Sequence, residues 1–349
     1  MKHRFLVVLV AVLTLSGCAT GGFKYAGPLR SDTVQPGEVL QSIQIDPELQ
    51  QKILALDPEN ISEDDVKNVL SKAPAPHVLS IHGGIYPVHL CMISFAEFLI
   101  RMGYPEQAVR QPQNGSFSYS PYFDAKNIAG AVAWHYERDA MRPMLVGHSQ
   151  GGMQVMKVLH ELAGHFSKSV PVWSPLSGKT EKRDAITDPF TGQALPVTRV
   201  KASYATAVGA GGLTRMMPNQ WVVNLGLRSV PGSTEDFTGF RVDGDFLGGD
   251  LFGVSPANLY NPDGQVTVRN VELPFGHDHV TIPNTKHLAL NADTRKWLNE
   301  YHPVRNPKPP SHLKGPAGNL TWGADVWYSI KKHWCLELQD LVRRKQGTK

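Results

Sequence analysis

The sequence predicts an α/β protein with a mostly parallel central sheet and helices on both of its faces, and three patterns predict it. Pro143-Met144-Leu145-Val146, preceded by Arg142, is a short apolar run of the kind that forms a strand buried on both faces. Met153, Met156, Val158, Leu159 and Leu162 then recur at helical spacing, with Gly164 placed to stop the helix. Upstream, Ala125, Ile128, Ala129, Val132, Ala133 and Tyr136 form one apolar stripe at i, i+3, i+4, i+7, i+8 and i+11, suited to packing on a sheet. With a further apolar strand at Val78-Leu79-Ser80-Ile81, strands and helices alternate, which is the pattern of crossover-connected parallel strands.

Taken in order, the chain opens with a basic segment, Lys2-His3-Arg4, and an apolar run over residues 5–15 interrupted only by Thr14. Leu15-Ser16-Gly17-Cys18 follows. The run is too short to span a bilayer as a mature helix, and the whole resembles a bacterial lipoprotein signal. That resemblance implies cleavage before Cys18, acylation of its thiol, and a membrane anchor. Ala19 in place of an aspartate implies sorting to the outer membrane, or, in a Gram-positive host, the outer face of the cell membrane. Residues 19–45, rich in Gly, Pro and polar side chains, read as a tether. Ser62-Glu63-Asp64-Asp65 has the chemistry of a helix start.

The core begins near His77. Val170-Pro171-Val172-Trp173 reads as another core strand, and residues 177–196 loosen into Gly, Pro and charge. With Met216-Met217-Pro218-Asn219-Gln220-Trp221, that stretch fits a cap over residues 177–235. Beyond His302 a Pro-rich linker leads to a docked terminal helix that carries Cys335.

Composition narrows the function. Lys and Arg number 35 against 31 Asp and Glu, and loss of Lys2 and Arg4 with a leader halves the net charge of +4. The basic residues are scattered without interleaved aromatics, so nucleic acid is not an expected partner. There are three cysteines. With Cys18 acylated, Cys91 and Cys335 form an even pair in an oxidising compartment; a disulfide between them is the hypothesis, and two buried thiols the alternative.

The chemistry concentrates in Gly147-His148-Ser149-Gln150-Gly151, where a strand turns sharply into a helix. A serine on such a turn is held in strained backbone space with its hydroxyl raised at the sheet edge, and the flanking glycines let the backbone pass. Val78-Leu79-Ser80-Ile81 ends in His82-Gly83-Gly84, a loop whose backbone can approach an oxyanion closely; the donors would be the N–H groups of Gly84, with Gly83 or Ile85 as neighbours, and Gln150.

On these two motifs, in this order, residues 77–302 resemble the α/β-hydrolase superfamily, in the style of bacterial lipases and esterases. The resemblance implies a chain order of nucleophile, acid, histidine, which confines the rest of the triad to the region after Ser149. Asp245 is the expected acid, following Gly244 and preceding Phe246-Leu247, with Asp243 and the more distant Asp250 as rivals. His287, in His287-Leu288-Ala289-Leu290, is the expected base; His279, in Gly276-His277-Asp278-His279, is the runner-up.

The pair His277 and His279 also invites a metal reading. No second His/Asp cluster of metallohydrolase spacing accompanies it, and no metal or cofactor is expected. The expectation is therefore an ester hydrolase working through Ser149, His287 and Asp245, with an ester or lipid as substrate. Its parts would be a leader over 1–17, an anchored tether with short helices over 18–76, the catalytic domain over 77–302 and the terminal extension over 303–349. An acyltransferase using the same acyl-enzyme, and a lipid-anchored binding protein of the same fold, are the alternatives. No motif encodes acyl length or oligomeric state.

Overall fold

The computed structural model describes residues 39–211, 226, 228–242, 244–248, 258–274, 278–304 and 307–347. The leader, Cys18, Asp243, Asp250, His277 and the Met- and Trp-bearing run over 216–221 lie outside them. A single helical turn, Val39–Ser42, precedes two short helices, α1 (Pro47–Ala55) and α2 (Glu63–Asn68). Ser62 and Asp65 cap α2 reciprocally: the Ser62 hydroxyl accepts from the Asp65 N–H and the Asp65 carboxylate accepts from the Ser62 N–H.

The central sheet has five strands, β1 (Val78–Ile81), β2 (Met144–His148), β3 (Ala202–Val208), β4 (Thr234–Val242) and β5 (Thr267–Leu273). They lie side by side in chain order, and every pairing is parallel. Parallel neighbours require crossovers. Helices α3 (Tyr86–Arg101) and α4 (Ala125–Asp139) connect β1 to β2, and α5 (Gln150–Leu162) leads from β2 toward β3. After β5 come α6 (Ala292–Glu300) and the 31-residue α7 (Ala317–Gly347).

Successive side chains of a strand face opposite ways, and each sheet face has its own core. Val78, Met144, Val146, Tyr204 and Phe240 pack with residues of α3 and α7; Leu79, Ile81, Leu145, Ala205 and Phe237 pack with α4 and α5. On the first face Trp322, Trp327 and Trp334 of α7 are wholly buried. An aromatic side chain of this size removes about 200 Å² from water, so each contributes roughly 5 kcal/mol of transfer free energy before ordering costs. Charged groups on α7 are hydrogen-bonded where they are buried. Asp325 receives two bonds from Arg269, at 2.6 and 2.9 Å, and Glu337 is bonded by the Arg142 guanidinium at 2.7 and 2.9 Å. The ammonium of Lys331, pushed down to about 8 by burial, donates to the carbonyls of Ile61 and Asn299.

Several expectations are corrected. Residues 39–45 are no tether: Val39 and Ile43 are buried in the core, and Lys345 donates to the carbonyls of Leu40 and Ile43. Trp173–Ser174 pairs antiparallel with Lys179–Thr180, outside the central sheet. The stretch expected as a cap over 177–235 contains β3, a central strand buried at all seven residues. Its Ala, Ser and Thr residues hide that burial from an apolar-run reading. Cys91 and Cys335 are both unbonded thiols. They belong to different neighbourhoods: the Cys91 thiol is raised by burial and by the Asp278 carboxylate, the Cys335 thiol, pushed up to about 12, by burial and then by Asp65.

Candidate active site

Ser149 links β2 to α5 with φ 57° and ψ −124°, a left-handed conformation that costs a non-glycine residue about 1–3 kcal/mol. The surrounding chain enforces it. The Ser149 N–H donates to the Val208 carbonyl at 2.8 Å, and its own carbonyl accepts the N–H groups of Gly152 and Met153. A Cβ on Gly147 would lie 2.5 Å from the Gly151 carbonyl oxygen, and one on Gly151 would lie 2.1 Å from that of Ile81. Glycine is required at both because backbone passes against backbone.

His279 and Asp245 complete an arrangement with Ser149. The His279 Nε2 is 2.7 Å from the Ser149 Oγ, and its Nδ1 is 2.6 Å from the Asp245 Oδ2. All three are buried, with 5, 7 and 4% exposure for Ser149, His279 and Asp245. Asp245 lies three residues beyond β4, and its other oxygen accepts the Gly248 N–H at 2.8 Å. Two more glycines are explained by the close fit. A Cβ on Gly209, at φ +60°, would come 2.8 Å from the His279 Cε1, and one on Gly248 would come 2.2 Å from the Asp245 Oδ2.

The structure does not bring His287 to this group, which corrects the expected base. His287 sits in a short 3-10 turn, Lys286–Leu290, whose Leu288 and Ala289 are the buried anchors. The Lys286 N–H bonds Ser94 of α3, so the turn packs on that helix and His287 remains on its exposed side. The apolar residues after His287 thus serve packing. His279, nearer the end of β5, is the histidine that the loop carries to the serine.

His148 has a supporting place that the sequence reading did not assign. Wholly buried at the end of β2, it is kept neutral because burial drives its proton affinity far down. Its Nε2–H donates to the His279 carbonyl at 2.7 Å, while its Nδ1 is buried without a hydrogen bond. The residue before the serine therefore holds the backbone of the histidine facing it. His82 acts similarly on the glycine loop. Its Nδ1–H donates to the Gly83 carbonyl at 2.6 Å, and burial pushes its pKa down to about 4. In a trans peptide the Gly83 carbonyl and the Gly84 N–H point in opposite directions, so this bond orients the Gly84 donor.

Gly84 and Gln150 are direct neighbours: a Cβ on Gly84 would fall 2.2 Å from the Gln150 side-chain oxygen. Among the described residues neither backbone N–H takes part in a hydrogen bond. The Gln150 N–H also lies at the first position of α5, where a helix leaves its donors unused. A Cβ on Gly83 would be 3.0 Å from the Ser149 Cβ, which places the loop against the serine.

Comparison with protein-family models, with curated proteins and with solved structures finds no match.

Proposed function

We propose that the protein is a serine hydrolase of the α/β-hydrolase type, acting on carboxylic esters at a bacterial envelope membrane to which an acylated Cys18 anchors it. The observation that carries the reading is the continuous chain from the Ser149 hydroxyl through His279 to Asp245, with distances of 2.7 and 2.6 Å, on a positive-φ turn. Its membrane location rests on the leader alone.

Each group has a task. As Ser149 Oγ attacks the ester carbonyl carbon, its proton passes to His279 Nε2, and the new negative charge on the carbonyl oxygen meets the N–H groups of Gly84 and Gln150. The tetrahedral adduct collapses, the C–O bond to the alcohol breaks, and the leaving alkoxide takes the proton from His279. Water then enters, gives a proton to the same nitrogen, and frees the acid while Ser149 regains its proton. Asp245 holds Nδ1–H, keeping Nε2 free to accept and stabilising the imidazolium that forms.

An apolar acyl group suits the surroundings. Ile85 and Tyr86 directly follow the Gly84 donor, Leu90 lies one turn further along α3, and Phe246 and Leu247 directly follow Asp245; all are exposed large hydrophobic residues. A fluorophosphonate probe should label the protein, and Ser149→Ala should abolish labelling and reduce ester turnover by about 10³-fold or more. Labelling that survives in Ser149→Ala would refute the assignment.

A further inference from the structure

At the amino edge of the sheet, remote from Ser149, three metal-ligating side chains converge. His77 immediately precedes β1; His135 and Asp139 lie one turn apart at the end of α4. The Asp139 Oδ2 is 3.0 Å from the His77 Nδ1 and 3.6 Å from the His135 Nδ1, and one donor atom from each residue falls within 4.8 Å of the other two. The His135 Nδ1 is buried and has no hydrogen bond. We propose that His77, His135 and Asp139 form a binding site for a single divalent transition-metal ion of the zinc class.

The geometry carries this in three ways. A tetrahedral ion about 2.0 Å from each ligand atom separates neighbouring ligands by about 3.3 Å, and the two carboxylate–imidazole distances bracket that value. Two imidazoles and one carboxylate select zinc, cobalt(II) or nickel(II) over the harder magnesium and calcium, which take oxygen ligands. A cavity of about 10 Å³, lined by both histidines and by Ser80, Ser118, Gln111 and Tyr119, adjoins the rings. That volume admits about one water, which has hydroxyl and amide partners there.

The free state differs from the loaded one in two respects: the proton held between the His77 Nδ1 and the Asp139 Oδ2, 3.0 Å apart, is released so that the nitrogen can ligate, and the rings move. The rings of His77 and His135 stack with centroids 3.8 Å apart, whereas two imidazoles on one tetrahedral ion hold theirs roughly 5 Å apart. Loading therefore parts the stack, with the adjoining cavity giving the rings room. The backbone of His77 is fixed while this happens, because its carbonyl accepts the Met144 N–H of β2 at 2.8 Å. The ion would clip the start of β1 to the end of α4, at the edge of the sheet opposite the serine, and its effect would be on stability.

The test uses the full chain without an affinity tag, stripped with a chelator and titrated with cobalt(II) or zinc alone. The parent should bind one cobalt ion with the strong visible bands of tetrahedral coordination, lose them to zinc, and melt at a higher temperature with zinc present. His77→Gln and Asp139→Asn alter the two more exposed ligands, so a folded variant is obtainable where His135→Ala could disrupt the core. With native far-ultraviolet circular dichroism as the check on folding, each should lose at least about tenfold in metal affinity together with the thermal shift. Absence of saturable binding by the parent, or parental affinity in either folded variant, overturns the three-ligand site.

Discussion

Opposite edges of one parallel sheet carry two histidine–carboxylate arrangements with similar internal distances and different surroundings. At the carboxyl edge His279 bonds Asp245 through Nδ1 and meets a serine hydroxyl through Nε2. At the amino edge His77 bonds Asp139 at 3.0 Å, but its neighbour is the ring of His135 and its first contact is no nucleophile. The pairing of imidazole with carboxylate is thus common to both. What makes one edge a candidate for acyl transfer is the strained turn that raises Ser149, together with unused backbone N–H groups beside it.

The largest expected effect tests which histidine belongs to that group. His279→Ala should lose activity about as completely as Ser149→Ala, and the double variant should be little worse than either, because members of one catalytic unit are not additive. His287→Ala should keep its fold and most of its activity. Turnover kinetics on purified variants decide it: an inactive His287→Ala beside an active His279→Ala would remove the carboxyl-edge arrangement from the reaction.

A smaller effect is expected from the bond behind the base. His148→Leu removes the donor that holds the His279 carbonyl, and a misplacement of the base by about 1 Å costs about 10²-fold in rate. His148→Gln supplies an N–H at similar reach. Recovery of kcat in the Gln variant, with KM steady across the series, would show positioning through the hydrogen bond; equal losses in both variants would reduce His148 to packing.

The carboxyl edge should also be acid-labile. Burial lowers His82 in the folded state to about 4, against about 6.5 in an unfolded chain, so the unfolded state takes up the proton first as pH falls. Its contribution is complete above about pH 6.5, declines through the interval to about 4, and amounts to at most about 3 kcal/mol. Denaturant midpoints measured across that interval should fall less steeply in His82→Phe than in the parent. Identical slopes would contradict the assignment.

The smallest effect on chemistry should come from the amino edge. Without added metal, Asp139→Asn weakens the bond to His77 and should lower stability by about 1–2 kcal/mol, while ester turnover stays within about twofold. A large loss of turnover in a fully folded Asp139→Asn protein would show that the two edges are coupled.

The serine turn, the glycine loop, the helix stripe over 125–136 and the capped start of α2 were legible in sequence because each is specified by neighbours a few residues apart. Strain at Ser149 follows from its place between a strand and a helix. The small residues of β3 offered no comparable signal: Ala202, Ala205 and Ala207 are core residues only because α4, α5 and neighbouring strands close over them. The same limit governed the histidines. His279 and His287 are separated by a few residues of loop, and the choice between them was made by Leu288 and Ala289 burying toward α3 while Asp245 and Gly209 closed around the His279 ring. A local pattern can prescribe a turn, but which imidazole reaches a hydroxyl 130 residues away depends on how the loop is anchored against the rest of the core.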